Sequence, residues 1–396
     1  MKPIIIIGSG LAGYGLAREF RKLDTATPLF IITRDKGDAY SKPMLSAACT
    51  SGKTPQSLIS ATTEKMAQDL NATILQETAV SKIDTNSRLV VTSQGTYEYQ
   101  SLVLALGAEV IRPRLEGNGV DRVLSVNDLW DYARFREVLE SAKRIAILGS
   151  GLIGCEFAND LAGKGYDITV IGMTDQPLTP LIPAAAGAAL KQRLSDLGVQ
   201  WRLGRTATAV EQASNGLNVV LDNGDRINAD LVLSAVGLRA RTALAAEAGI
   251  AVNRGIIVDD HLRTSAPDVY ALGDCIEING QLMPYVMPIM HASRALAKTL
   301  AGEHTAVAFP AMPVAVKTPA CPISVLPAPA NAEITHTFSG LSKAAKRCGR
   351  EISEGLTVGM AILVASKGSM IKVWRKSGIG ASRCLDFCAL PCCYFC

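Results

Sequence analysis

At 396 residues the chain has room for two or three domains, and 48% hydrophobic residues exclude a chain disordered as a whole. No apolar run approaches the about 18 residues of a membrane helix, and the short Ile4–Ile7 run after Lys2 is no secretion signal, so a soluble, cytoplasmic protein without membrane insertion is expected. The net charge of +4 is local: from Leu341 onward nine Lys/Arg face three Asp/Glu, whereas residues 1–340 carry 31 basic and 33 acidic groups.

Ile4–Ile7 is a β-branched run suited to a strand buried on both faces. Gly8-Ser9-Gly10-Leu11-Ala12-Gly13 follows at once, and Leu11 to Lys22 reads as a helix. Gly8 permits the tight turn, Gly10 lets backbone approach a pyrophosphate, and Gly13 lets the helix pack close to the strand. The helix N-terminus points free N–H groups at the phosphates. The flanking strand and helix are the context that turns a weak glycine motif into a dinucleotide site. Pro28 to Thr33 is the second strand. An acidic residue about 20 positions past the glycines normally takes the ribose hydroxyls, but here the strand ends in Thr33-Arg34-Asp35, an unusual ribose contact.

Tyr40-Ser-Lys42-Pro43-Met-Leu-Ser46 reads as the entry to a second helix, and Leu102-Val-Leu-Ala-Leu-Gly-Ala108 as a strand returning across the first domain. From Arg144 the pattern recurs: a strand, then Gly149-Ser-Gly151-Leu-Ile-Gly154, then a helix carrying Cys155 and Glu156. Two such units are far more specific than one. The second strand here, Asp167 to Gly172, leads into Met173-Thr-Asp175, and no Arg or Lys lies between Gly172 and Leu181 to hold a 2′-phosphate. NADH is therefore favoured over NADPH, with Asp175 an imperfect substitute for a strand-end carboxylate. Leu231-Val-Leu-Ser-Ala-Val-Gly-Leu-Arg239 mirrors the 102–108 strand, and a strand ending in Gly273-Asp274 precedes a helix near Met290 to Leu300. Gly-Asp alone is an ordinary turn dipeptide.

Together these motifs resemble the two-dinucleotide flavoprotein reductases. Within that superfamily the chain is most similar to the bacterial rubredoxin–NAD reductase family, through Gly8–Tyr14, Tyr40–Ser46, Gly151–Asp160, Pro284-Tyr-Val-Met-Pro288 and Pro313-Val-Ala-Val-Lys-Thr-Pro319; the likeness covers roughly residues 1–327. The resemblance implies FAD on the first glycine loop and at Asp274, NADH on the second loop, and electron flow from NADH through FAD to rubredoxin, for example to serve an alkane hydroxylase. It implies that Lys42 and Glu156 lie near the reactive edge of the isoalloxazine, where a buried ion pair positions ring and nicotinamide. Glu156 read alone is also an ordinary first-turn carboxylate complementing its helix dipole. Lys317 matches a position near the pyrimidine end of the flavin, and Thr33, Arg34, Val80 and Val286 match FAD contacts.

Cys49 and Cys155 each lack a neighbouring partner at redox spacing, which disfavours the disulfide reductases of the superfamily and marks both as packed thiols. The likeness fades after Leu326-Pro-Ala-Pro-Ala330. The remainder turns basic and ends in Cys384, Cys388, Cys392, Cys393 and Cys396, spacings that match no standard zinc pair, so no metal site is assigned. A frameshifted or otherwise aberrant C-terminus is one reading of that shift. The basic tail lacks an interleaved aromatic platform, so no nucleic-acid partner is expected.

The expected fold is α/β: two Rossmann-like dinucleotide-binding domains, for FAD and NAD, plus a small C-terminal α+β domain. The boundaries read as 1–108 for the first part of the FAD domain, 109–235 for the NAD domain, 236–308 for the second FAD part, and 309–396 for the C-terminal domain, atypical after about 330. A reductase of ferredoxin or flavorubredoxin, and a redox sensor holding FAD and NADH with little turnover, are the competing functions. Monomer and homodimer are left open.

Overall fold

Four consecutive isoleucines fit only a strand with both faces covered, and Ile4–Ile7 (β1) is the middle strand of a five-stranded parallel sheet with every side chain buried. The computed structural model describes residues 1–179 and 181–326 in full, with only the backbone of three short strands beyond. The cysteines from Cys348 onward and the expectation of an aberrant tail therefore fall outside the fully described residues. The chain divides into two units by its internal contacts: residues 1–112, 125–137 and 237–310 form one, and residues 113–124, 138–236 and the segment from Ala311 form the other.

In the first unit the strand order is Val269–Ala271, Ser101–Leu104, β1, Leu29–Ile32 (β2) and Thr73–Leu75, all parallel. The chain leaves β1 in one direction to build β2 and Thr73–Leu75, and returns on the other side as Ser101–Leu104. The crevice outside the carboxyl end of β1 is thus a topological switch point, where open α/β sheets bind ligands. Helix Leu11–Arg21 (α1) buries Leu16, Ala17 and Phe20 against this core, and helix Val286–Leu300 adds Ile289, Ala292 and Leu296. That second helix begins four residues earlier than Met290, and Pro288 is accommodated in its first turn, where a missing N–H costs nothing. Lys42–Ala47 closes as a 3₁₀ helix, with Pro43 in its first turn. Strands Val80–Asp84, Leu89–Thr92 and Gly95–Glu98 form an antiparallel meander.

The second unit repeats the plan. Its parallel sheet runs Val123–Leu124, Leu231–Ser234, Arg144–Leu148 (β3), Asp167–Gly172 (β4) and Gln200–Leu203. Helix Leu152–Ala162 (α2) follows β3, and strands Ala207–Ala213, Gly216–Leu221 and Arg226–Ala229 make the matching meander. The Asp230 carboxylate fixes the start of β3: it accepts from the backbone N–H of Lys143 and Arg144 at 3.0 and 2.8 Å and pairs with the Arg144 guanidinium. Val314–Val316 and Ile323–Val325 pair antiparallel.

Candidate functional site

The glycine loops have the geometry that their sequence predicts. Gly8 adopts φ +117°, and a Cβ there would lie 2.2 Å from the Ala105 carbonyl oxygen. A Cβ on Gly13 would sit 1.8 Å from the Gly8 carbonyl oxygen, so only glycine lets α1 approach the loop this closely. Gly149 and Gly154 repeat both constraints in the second unit. Beside Gly10 and Gly151, by contrast, there is open space, which leaves each loop's backbone accessible to a phosphate. Both loops open helices of 11 residues, with N–H groups free at their first turns.

In the first unit the exposed Asp35 organises the loop. Its Oδ1 accepts from the Thr33 hydroxyl at 2.6 Å, from the Ser9 hydroxyl at 3.3 Å and from the Gly37 N–H at 2.9 Å, while Ser9 Oγ also donates to Thr33 Oγ1 at 2.8 Å. Thr33 is buried by these contacts; Arg34 is exposed. The Tyr14 hydroxyl donates to the Gly37 carbonyl. Asp35 closes the loop internally, a role that the sequence reading, looking for a ribose contact, did not assign.

Gly273 packs against Ala12 at the start of α1, which brings the half-buried Asp274 to the same end of the first unit. Burial pushes the Asp274 carboxyl up, and the charge of Lys42 opposes that shift; burial in turn pulls the Lys42 ammonium down, opposed by Asp274, Asp128 and Asp131. The Tyr40 hydroxyl accepts from the Leu129 N–H at 3.2 Å and ties the Lys42 segment to Asp128 and Asp131. Burial, then Asp128, push the Asp131 carboxyl up. Arg241 donates to the Leu106 carbonyl, and its charge is disfavoured by burial and by the neighbouring Arg34. Asp128, Asp131 and Arg241 come from segments far from Lys42 in sequence and carry no motif. Val80 opens its meander strand half-buried, and Val286 opens its helix partly exposed.

In the second unit Glu156 lies on α2, fully buried, with Lys317 as its ion-pair partner. The Lys317 N–H donates to Glu156 Oε1 at 2.9 Å, and Lys317 Nζ stands 2.6 Å from Oε2. One turn along α2, Asn159 Oδ1 accepts from the Ala320 N–H at 3.1 Å. Positions i and i+3 share a helix face, so Glu156 and Asn159 together clamp the backbone of Lys317–Ala320. A buried carboxylate needs both a cation and hydrogen bonds, and the Lys317 segment gives Glu156 one of each. The spacing of Glu156 and Asn159 was the available signal.

Cys49, Cys155, Cys275 and Cys321 are buried. Burial pushes Cys155 up to about 12, with Glu156 adding to the shift, and its Sγ donates to the Ser150 carbonyl. A thiol so far from its thiolate is not a redox nucleophile.

Residues 2–298 match the pyridine nucleotide-disulphide oxidoreductase family, and residues 306–359 match the rubredoxin binding C-terminal domain. The chain is 49% identical to a rubredoxin-NAD(+) reductase of Alcanivorax borkumensis over 84% of this chain and 87% of that protein. It is 40% identical to a nitric oxide reductase FlRd-NAD(+) reductase of Aeromonas hydrophila over 82% of this chain and 83% of that protein. A ferredoxin reductase from Rhodopseudomonas palustris superimposes with a TM-score of 0.78 at 26% identity, covering 84% of each chain.

Proposed function

We propose that this chain, which belongs to the pyridine nucleotide-disulphide oxidoreductase family, is a reductase carrying electrons from NADH through FAD to rubredoxin. The observation that carries the reading is the pair of complete glycine-loop units in one chain, joined to a match with the rubredoxin binding domain. Flavin, when bound, accepts electrons from nicotinamide as a pair and releases them singly to a one-electron acceptor. We assign FAD to Gly8, Ser9, Gly10, Leu11, Ala12 and Gly13, with Thr33, Arg34, Val80, Asp274 and Val286, and NADH to Gly149, Gly151 and Gly154. The open space at Gly10 and Gly151 and the orphaned, buried Ser234 hydroxyl at the carboxyl end of the second sheet fit bound dinucleotides.

Lys42, held among carboxylates, supplies a cation whose charge its surroundings can adjust. Glu156 holds Lys317 by side chain and backbone, and by its match to the family position we assign Lys317 as a cation for reduced flavin. Residues 1–108 with 236–308 then form the FAD domain, 109–235 the NAD domain, and the chain from 309 the acceptor-docking domain. We place the protein in the cytoplasm, feeding an oxygenase such as an alkane hydroxylase. The likeness to the Aeromonas reductase favours one second reading, with a flavorubredoxin as acceptor.

The test is NADH oxidation by the FAD-loaded protein with cytochrome c as the final acceptor, with and without rubredoxin. Strong dependence on rubredoxin supports the proposal. Turnover that needs flavorubredoxin or ferredoxin instead replaces the acceptor, and retained FAD with no turnover under any acceptor points to a redox sensor.

A further inference from the structure

We propose that Asp175 and Gln176 recognise the adenosine ribose of the nicotinamide cofactor and set the preference for NADH, in place of a strand-end carboxylate that Ser150 excludes. The inference deepens the function proposed above and rests on the nicotinamide-binding role of the second unit.

In a βαβ dinucleotide fold, an acidic side chain at the end of the second strand takes the ribose hydroxyls. Gly172 holds that place as the last residue of β4. The two units share register here: Ile7 pairs with Ile32 in the first, Leu148 with Ile171 in the second, and Gly8 and Gly149 each donate to the carbonyl of the strand-two partner. Gly172 is therefore the counterpart of Thr33, and Ser150 of Ser9. In the first unit the serine hydroxyl donates to the threonine hydroxyl. In the second, a Cβ on residue 172 would lie 2.2 Å from Ser150 Oγ and 2.6 Å from Ser150 Cβ. The buried serine fills the space, and no carboxylate fits there.

Recognition then falls to the residues just beyond. The Thr174 hydroxyl is already bonded to the Gln176 carbonyl at 2.8 Å. Asp175 is exposed at the carboxyl end of β4, its Oδ1 3.2 Å from where a Cβ on Gly204 would stand; the glycine leaves room for the carboxylate. Gln176 packs against Gly187, which sets the course of its side chain, and its buried Oε1 has no hydrogen-bond partner. The Asp175 carboxylate and the Gln176 Oε1 are both acceptors. The 2′- and 3′-hydroxyls of NADH are donors, and satisfying a buried amide oxygen with one of them recovers a desolvation penalty. A 2′-phosphate brings negative charge and removes the 2′-hydroxyl donor, so it meets repulsion from Asp175 and offers nothing to the Gln176 Oε1. The cation that the adjoining strand brings nearby, Arg205, is engaged elsewhere: its Nη1 donates to the Gly204 carbonyl at 3.1 Å and its Nε faces Asp222 at 4.0 Å.

The test uses the FAD-loaded protein and three variants, Asp175→Asn, Gln176→Leu, and the double change Asp175→Ser with Gln176→Arg. Steady-state kcat and KM for NADH and NADPH are measured beside calorimetric binding of 5′-AMP and 2′,5′-ADP, probes of the ribose alone. Each single change is expected to raise KM for NADH about ten-fold with little change in kcat, the equivalent of one lost hydrogen bond to a buried or charged acceptor, and to weaken 5′-AMP in parallel. The double change should bind 2′,5′-ADP better than 5′-AMP. Asp175 is exposed, so its variant reports even if Gln176→Leu fails to fold. Unchanged NADH to NADPH ratios and unchanged 5′-AMP affinity in the Asp175 variant and the double variant would overturn the assignment while leaving the reductase intact. A wild-type protein that neither binds 5′-AMP nor oxidises NADH would overturn the nicotinamide reading itself.

Discussion

Replacing Glu156 by glutamine isolates the charge that holds Lys317. The carboxylate is fully buried; Oε1 accepts the Lys317 N–H at 2.9 Å and Oε2 meets the ammonium at 2.6 Å. Glutamine keeps an acceptor for the backbone and removes the negative charge. A hydrogen bond to a charged group contributes about 1.5–3 kcal/mol, but the Lys317 side chain is 28% exposed and regains part of its hydration. A net loss of about 1–2 kcal/mol follows, or roughly 2–8 °C in Tm for a unit of this size. Glu156→Ala removes both acceptors and leaves a void, and should cost about 3–5 kcal/mol. Thermal unfolding of Glu156→Gln, Lys317→Met and the pair gives a double-mutant cycle, with an expected coupling of about 1–2 kcal/mol. Additive effects, with coupling indistinguishable from zero, would refute the clamp. In the same series the flavin midpoint potential should fall in Lys317→Met, which loses a cation, and rise in Glu156→Gln, which loses an anion.

Other outcomes follow from the same structure. Gly154→Ala places a methyl 2.0 Å from the Gly149 carbonyl oxygen and should abolish flavin reduction by NADH while FAD stays bound, as anaerobic spectra would show. Asp230 is held well below the usual carboxylate range, first by its hydrogen bond to the Arg144 side chain and then by backbone N–H donors. Its contribution is therefore present above the unfolded value near 4 and is lost as pH falls through the lower folded value. Asp230→Asn should cost about 1–2 kcal/mol at pH 7, and denaturant melts should show the gap to wild type narrowing below about pH 4. The buried Cys155 thiol, pushed up to about 12, should resist iodoacetamide at pH 8 in the folded protein, and Cys155→Ala should keep reductase activity.

Much of this protein is written locally in its chain. Strand, glycine loop and helix follow one another within about 20 residues at Ile4 and again at Arg144, because steric limits at Gly8 and Gly13 and the burial of Ile4–Ile7 act between near neighbours. The sequence by itself therefore determined two dinucleotide-binding α/β units, and its lack of paired cysteines around Cys49 and Cys155 argued against disulfide chemistry. Which charges meet was decided only in three dimensions. Lys317 reaches Glu156 across 161 positions, Asp128 and Asp131 come to Lys42 from a helix start, and Ser150 closes the space over Gly172 that a ribose-binding carboxylate would need. Apart from the i, i+3 spacing of Glu156 and Asn159, such pairs leave no periodicity or spacing, since the ion-pairing and exclusion that create them depend on distances of a few ångströms that sheet register and helix packing set.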